Sequence, residues 1–538
     1  MDRKERKEFI AKLRQAKKPL YDLAQQCKRL WELVRNSNTP DSKRQKCTEE
    51  LCSLVKGKAK QLVYAHDTSR VVQCLLSLNK IDITAWLFDE LRPEVCKMAK
   101  SKYAKNFVTK MLKKGTKEQR AQVMKTLQGH VVDLFRHNEA SQIVELAYNE
   151  FADKFQRAQI VRQFYGPVVA SVEMSSTDTI SEILEKEPSK RDVILKNLKD
   201  TLDVICLKMS LNHSLGHRLL SEYLEFASET EREEVVGLVR DRFIEFLHTR
   251  DGCRAAMYCL WYSNAKDRKT MVKSLKEHVA ATCKEEYGSL LLLTVFDVVD
   301  DTVLVKKNII SEIEKNLSAI AASQHGMRVL DYLIRPRDGR YFQADVIKLL
   351  AKGDNNPYSK KEREKKYDEL WQPLAAPLAQ YLSANMRELI FEKRRALVVL
   401  NLLQVNEGEK SRISVEDRLS CYESLVQVMQ DEFIPCNLDE QLHAVEHPNA
   451  HFVICRVISS DANLRDAKPL TELMLERLAA EHLQAWSACN KGCFVLVRML
   501  ETGVCHEKLL QLLKPLQKKL QTSNSKGANC LRAKLEAN

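Results

Sequence analysis

An eleven-residue window recurs along the chain at a nearly fixed interval, and this recurrence restricts the fold more than any other feature. HDTSRVVQCLL begins at His66, KYAKNFVTKML at Lys102, NEASQIVELAY at Asn138 and MSSTDTISEIL at Met174, each 36 residues after the last. SLGHRLLSEYL (Ser214), RDGCRAAMYCL (Arg250), EYGSLLLLTVF (Glu286) and QHGMRVLDYLI (Gln324) follow at steps of 40, 36, 36 and 38. PNAHFVICRVI (Pro448), NKGCFVLVRML (Asn490) and SKGANCLRAKL (Ser525) bring the set to eleven, with a poor twelfth, RRALVVLNLLQ, at Arg394. The third position is always small, as at Thr68, Ala104, Gly252 and Gly492, which allows close backbone approach at a helix start. The seventh and eleventh positions are almost always apolar, an i,i+4 pair on one helical face. A second amphipathic segment, such as residues 118–135 or 231–247, separates successive windows. A helix pair of this kind cannot bury its apolar face unaided, but stacked copies share a continuous core. The expected fold is therefore all-α: a right-handed α-solenoid of about eleven repeats with a period of about 36 residues.

The scarcity of chain breakers agrees with this, with only 15 Gly and 13 Pro in 538 residues. No run of eighteen apolar residues exists, so no membrane span is expected. The start, MDRKERKEFI, lacks the apolar region of a signal peptide and leads straight into a charged helix, from which a longer native chain is expected. The sixteen cysteines show neither CxxC pairs nor zinc spacing and are read as reduced thiols; neither metal nor cofactor is expected. Catalysis is not expected either, because no P-loop, GxSxG, HExxH or paired catalytic carboxylates occur.

Charge is distributed unevenly. Residues 1–130 hold 30 basic against 14 acidic side chains, a net +16, whereas the remaining 408 residues carry a net −3. Such segregation suits a polyanion-binding surface, with a solvated helical face as the plainer alternative. The basic residues cluster at Lys12, Arg14, Lys17 and Lys18; at Lys43, Arg44 and Lys46; at Lys56, Lys58 and Lys60; and around the second window, including Lys102, Lys105 and Lys110. Lysine, a flexible point charge, suits backbone phosphates better than base edges. Within each window, positions four, five and eight are expected to form one exposed edge, which in the second window is Lys105, Asn106 and Thr109.

A small residue followed by this four-five-eight triplet at this period resembles the PUF (Pumilio-homology) repeat, over roughly residues 40–538, and most of all its divergent Puf-A branch. In base-reading PUF proteins positions four and eight grip a base edge and position five stacks between bases. The resemblance carries these roles to Ser69, Arg70 and Gln73 and to Ser141, Gln142 and Glu145. At position five it adds Arg218, Arg254 and Arg328, although an arginine there could instead pair with a carboxylate of the next repeat. Most other four/eight pairs, such as Cys253/Met257 and Cys493/Val497, are unsuited to reading a base. Phe452 and Phe494, in apolar surroundings, are read as core.

The expected organisation is a basic helical region with the start of the first repeat (1–65), amino-terminal repeats (66–187), middle repeats (188–335), a charged insertion (336–373) and carboxy-terminal repeats (374–538). Within the insertion, SKKEREKKYDELW reads as an exposed charged helix suited to partner docking. The expected function is sequence-tolerant binding of RNA and DNA, including duplex forms, by a monomer. The resemblance further implies a nuclear, nucleolar factor in ribosome biogenesis and rRNA processing, with pre-ribosomal particles and other proteins as partners. A HEAT/armadillo-type protein scaffold and a base-reading regulator of messenger RNA are the rivals.

Overall fold

The computed structural model describes residues 20–170, 179–435, 442–465 and 467–537. These residues contain helices, turns and loops and no strand. The chain divides into two compact units, Met1–Tyr258 and Cys259–Asn538. Both are built as a helical solenoid of the expected kind. In the first, the helices Tyr21–Arg35, His66–Ser77, Lys105–Lys114 and Ser141–Leu146 pack side by side in chain order. In the second, Glu286–Val298, Gln324–Ile334, Lys393–Leu403, Pro448–Ser459, Asn490–Glu501 and Lys526–Ala537 do the same. The poor window at Arg394 is thus a rung of the second unit.

Local chemistry explains why the rungs form. Gly252, Gly326 and Gly492 each start a window helix against the carbonyl oxygen six residues earlier; an added Cβ would lie 1.7 Å from Phe246 O, 2.1 Å from Ile320 O and 2.2 Å from Trp486 O. Where the third position is threonine, the hydroxyl uses the same carbonyl, and Thr68 Oγ1 donates to Leu62 O at 2.5 Å. The second helix of each pair opens with its own signal. Capping boxes at Thr116/Gln119, Asp153/Gln156 and Ser228/Glu231 start the helices Lys117–Leu127, Lys154–Arg162 and Glu229–Val239. The apolar i,i+4 pair is fully buried, as with Val108 and Leu112, and each such side chain contributes about 1.5–3 kcal/mol.

Three sequence expectations need correction. Positions four, five and eight do not share an exposed edge. Position four is buried at Ser69, Ser141, His217, Cys253, Ser289, Met327, Cys493 and Ala528, and position eight at Ser221, Met257, Leu293, Asp331 and Val497. Neighbouring elements cover both. Several position-four side chains turn back on the chain, as when Cys253 Sγ donates to Leu247 O at 2.9 Å. Of the three, position five alone is at least partly accessible wherever it is described in the eleven windows, and Phe452, at 44 % exposure, lies there rather than in the core.

The window at Met174 is only partly described: Met174–Asp178 lie outside the described residues, and Thr179 begins the short capped helix Ile180–Lys186. The rung containing Ser141 meets Ser214–Phe226 directly, with Glu145 accepting from Ser214 N at 2.8 Å.

The charged helix of the insertion, which begins at Arg363, is exposed on one face only: Glu364, Lys365 and Asp368 are exposed, whereas Lys366, Leu370 and Trp371 are buried. Tyr367 Oη donates to Asp297 Oδ1 at 2.6 Å, Lys366 Nζ lies 3.0 Å from Asp300 Oδ1, and Lys366 is 2 % exposed. Arg268, equally buried, donates to Asn356 Oδ1 (2.8 Å) and Ser359 Oγ (3.0 Å) of the insertion and to Val298 O (2.6 Å). Its charge is satisfied by carbonyl, amide and hydroxyl oxygens, and the helix Arg363–Ala384 begins in the insertion and runs on past it within the second unit.

Candidate nucleic-acid interface

The lysine-rich stretch 56–60 is a pinned turn. Helix Asp41–Val55 ends at Lys56, and Gly57 follows at φ +79°, a conformation that favours glycine. The Glu90 carboxylate, from the helix Ile81–Leu91, accepts from Gly57 N at 2.9 Å and Ala59 N at 2.8 Å. This clamp leaves Lys56, Lys58 and Lys60 pointing into solvent. Lys43 and Lys46 lie on the exposed face of the Asp41–Val55 helix. Among the described residues no carboxylate pairs with any of these five. Arg44 differs: its guanidinium holds the preceding loop, donating to Thr39 O at 2.9 Å, Ser37 O at 3.1 Å and Asp41 Oδ1 at 3.0 Å.

The rungs carry a second group. Arg70, Asn106 and Gln142, all at position five of successive windows, are exposed. The Arg70 guanidinium lies 5.9 Å from the Trp31 ring centroid, and that of Arg35 lies 4.8 Å from the same ring. Trp31, on the Tyr21–Arg35 helix, thereby gathers two arginines by cation–π attraction. Lys102 is exposed, its Nζ 5.9 Å from the Tyr103 ring.

Two lysines of the same rung are committed internally. Lys105 Nζ lies 2.6 Å from Glu139 Oε2 and 3.0 Å from Gln142 Oε1, and this bond holds the Glu139 carboxyl below its ordinary range. Lys110, lowered in pKa by burial first, donates to Ser77 Oγ at 2.7 Å and Gln73 O at 3.2 Å, tying its rung to the preceding one. Lys28–Asp67 and Lys100–Asp133 are further ion pairs between repeats.

The remaining residues singled out by the sequence do not gather at this surface. Ser69 Oγ donates to Tyr103 O at 3.1 Å and accepts from Gln73 Nε2 at 3.0 Å. Ser141 Oγ donates to Asn138 O at 3.2 Å, and Glu145 caps the Ser214 helix, accepting also from Ser214 Oγ at 2.6 Å. Arg218 Nε donates to Glu222 Oε1 at 2.6 Å, and Tyr165 Oη donates to Glu222 Oε2 at 2.8 Å. Glu222 is buried, and that burial raises its pKa despite the arginine. Arg254 is half-buried, its Nε without a hydrogen-bond partner among the described residues. Arg328, in the second unit, donates to Glu286 O at 3.0 Å and Ser289 Oγ at 3.2 Å. Lys12, Arg14, Lys17 and Lys18 lie outside the described residues.

Sequence reasoning passed over Trp31 and the rung that carries it, because that helix precedes the first recognisable window. It also passed over the pairing of Lys105. The signal was a carboxylate about one repeat later: Asp133 lies 33 residues after Lys100, and Glu139 lies a similar number of residues after Lys105. Among the described residues no group of three His, Cys, Asp or Glu could hold a metal ion, and no helix is long and apolar enough to cross a membrane.

The geometry has counterparts among known proteins. The CPL (NUC119) domain family matches residues 322–470, which include the insertion. Pumilio domain-containing protein 12 of Caenorhabditis elegans is 37% identical over 543 residues, covering 100% of this chain and 70% of that protein. Pumilio homolog 3 of Homo sapiens is 32% identical over 543 residues, covering 99% of this chain and 82% of the relative. The crystal structure of human Puf-A matches with a TM-score of 0.82 at 32% identity, covering 96% of this chain and 100% of that one. Human Puf-A in complex with DNA matches with a TM-score of 0.81 at 31% identity, covering 95% and 99%. A Pumilio-type solenoid, similarity along nearly the whole length and the CPL segment together place this chain in the Pumilio homolog 3 (Puf-A) family.

Proposed function

We propose that the chain binds RNA and DNA, duplex and structured forms included, by gripping sugar–phosphate backbones with the exposed cations of its first unit. The observation that carries this reading is that Lys43, Lys46, Lys56, Lys58, Lys60 and Lys102 are exposed, with no ion pair among the described residues, in the part of the sequence that holds the whole positive excess. A positive surface without internal counterions attracts a polyanion and gains from counterion release. The burial of positions four and eight favours backbone contact over base reading, because the side chains a base would need are turned into the fold. Human Puf-A crystallised with DNA supports the same reading.

Equilibrium binding to several unrelated RNA and DNA sequences, at two salt concentrations, tests it. Affinities should agree within a few-fold among sequences, and log K should fall with log salt by about 0.9 per phosphate neutralised on duplex. A strong preference for one short single-stranded sequence, with little salt dependence, would overturn it.

Kinship with Puf-A and the resemblance of the repeats support a further reading: a monomeric, non-enzymatic nuclear and nucleolar factor of ribosome biogenesis and rRNA processing, acting on pre-ribosomal particles. Imaging of the tagged protein together with rRNA-precursor analysis after its depletion tests that part. A cytoplasmic protein whose loss leaves precursors unchanged would remove it.

A further inference from the structure

Leu207 is 75 % exposed in the turn between the helix Arg191–Ile205 and the short helical turn Met209–Asn212. A lone exposed leucine means little. What sets Leu207 apart is how its backbone is held. Arg242 Nη1 donates to both flanking carbonyls, Cys206 O at 2.5 Å and Lys208 O at 2.9 Å, while Glu245 Oε1 accepts from Arg242 Nε at 2.9 Å. Lys208 Nζ is fixed in turn on Arg136 O at 2.7 Å. The turn is a braced support that presents an apolar side chain.

Leu207 lines a groove of about 850 Å³ together with Lys105, Asn138 and Gln142, the last of these from the position-five edge already described. The formal charges of the lining cancel: Lys105 is paired with Glu139 and Arg242 with Glu245, and the charge of Lys208 is offset in number by Asp241, which lies 3.7 Å from Arg240. A phosphate gains little in such a space. It would be drawn to Lys102, exposed at the start of the rung that supplies Lys105. A neutral groove beside a cationic edge, lined by two side-chain amides and an aliphatic contact, suits an uncharged flat group with a polar rim.

We propose that this groove receives one unstacked nucleobase of the bound nucleic acid, with Leu207 against its face and the Asn138 and Gln142 amides at its edge. The proposal rests on the phosphate-binding reading and adds a preference to it. A paired base must first leave its stack, at a cost that is least for an unpaired one. The protein therefore favours bulged or single-stranded nucleotides flanked by duplex, whatever the identity of the base.

The test uses the full chain with an RNA duplex, either fully paired or carrying one bulged fluorescent aminopurine. The bulged duplex should bind about fivefold tighter, and the aminopurine emission should change on binding as the base leaves its neighbours. Leu207→Ala, at an exposed position, should abolish the preference and leave affinity for the paired duplex within about twofold; Gln142→Ala should weaken the preference in the same direction. Equal affinity for the two duplexes, or a preference that survives Leu207→Ala, overturns the proposal. The paired duplex separates the two readings: if it binds with the expected salt dependence while the bulge adds nothing, the groove assignment alone fails. If it does not bind, phosphate gripping fails and the groove assignment with it.

Discussion

The two units differ in where their structural cations sit. In the second, a dense set serves the fold: Arg337 bridges Asp297 and Asp354, Lys366 meets Asp300, Arg412 meets Asp368, and Arg387 forms a two-pronged pair with Asp431 at 2.6 and 2.7 Å. Much of this chemistry fastens the 336–373 insertion to its surroundings. In the first, Lys56, Lys58 and Lys60 are pushed outward from a turn whose acidic anchor, Glu90, is occupied with backbone N–H groups instead of ammonium groups. The number of basic residues therefore says little about partners. What matters is whether the carboxylates within reach already have other work.

The largest expected effect probes the second unit. Arg268→Met leaves a set of buried oxygens without a donor and should lower stability by about 3–5 kcal/mol, read from the denaturant midpoint. An unchanged midpoint would mean that the buried cations there are not structural.

Next comes the first unit. Replacing Lys43, Lys46, Lys56, Lys58, Lys60 and Lys102 together with glutamate should weaken nucleic-acid binding about a hundredfold with an unaltered circular dichroism spectrum, and the salt slope should shrink by about 0.9 for each duplex phosphate that is no longer neutralised. Unchanged affinity would favour a protein scaffold.

A smaller effect lies inside the first unit. Burial, and then the neighbouring His248, push the His217 imidazole down to about 3. The unfolded chain takes up that proton near about pH 6.5. Between those values the unfolded state binds a proton that the folded state refuses, so stability falls as pH falls, by at most about 1.4 kcal/mol per pH unit. His217→Gln should flatten this part of a stability–pH profile.

The smallest effect is a control. Lys518 and Lys519 are exposed in the second unit, and their reversal to glutamate should change affinity by less than about twofold. A drop as large as that from the first-unit variant would erase the contrast.

The features legible in the sequence were those set by local geometry. A small residue at each window's third position announced the approach of a carbonyl six residues back, and Gly326 and Gly492 show that approach. The lysines of residues 56–60 were legible as charge because their exposure depends on one nearby turn. What escaped was decided between repeats. Ser69 and Glu145 have the residue types of base readers, yet Ser69 is covered by the next repeat and Glu145 faces a helix that begins 69 residues later. The charged insertion looked solvated because the partners of Lys366 and Tyr367, Asp300 and Asp297, lie 66 and 70 residues upstream. Window-by-window reading could not see them.

The junction at Glu145 also bears on how the first unit assembles. Bonds between its earlier rungs close loops of 33 and 37 residues, whereas the bond from Ser214 to Glu145 closes one of 69. A doubled loop costs only about 0.6 kcal/mol more to close, so equilibrium stability hardly registers it. The folding rate is more sensitive to such separation. The early rungs can zip together on nearest-neighbour packing, and docking of the Ser214 helix, which must close the longer loop, is expected to follow them.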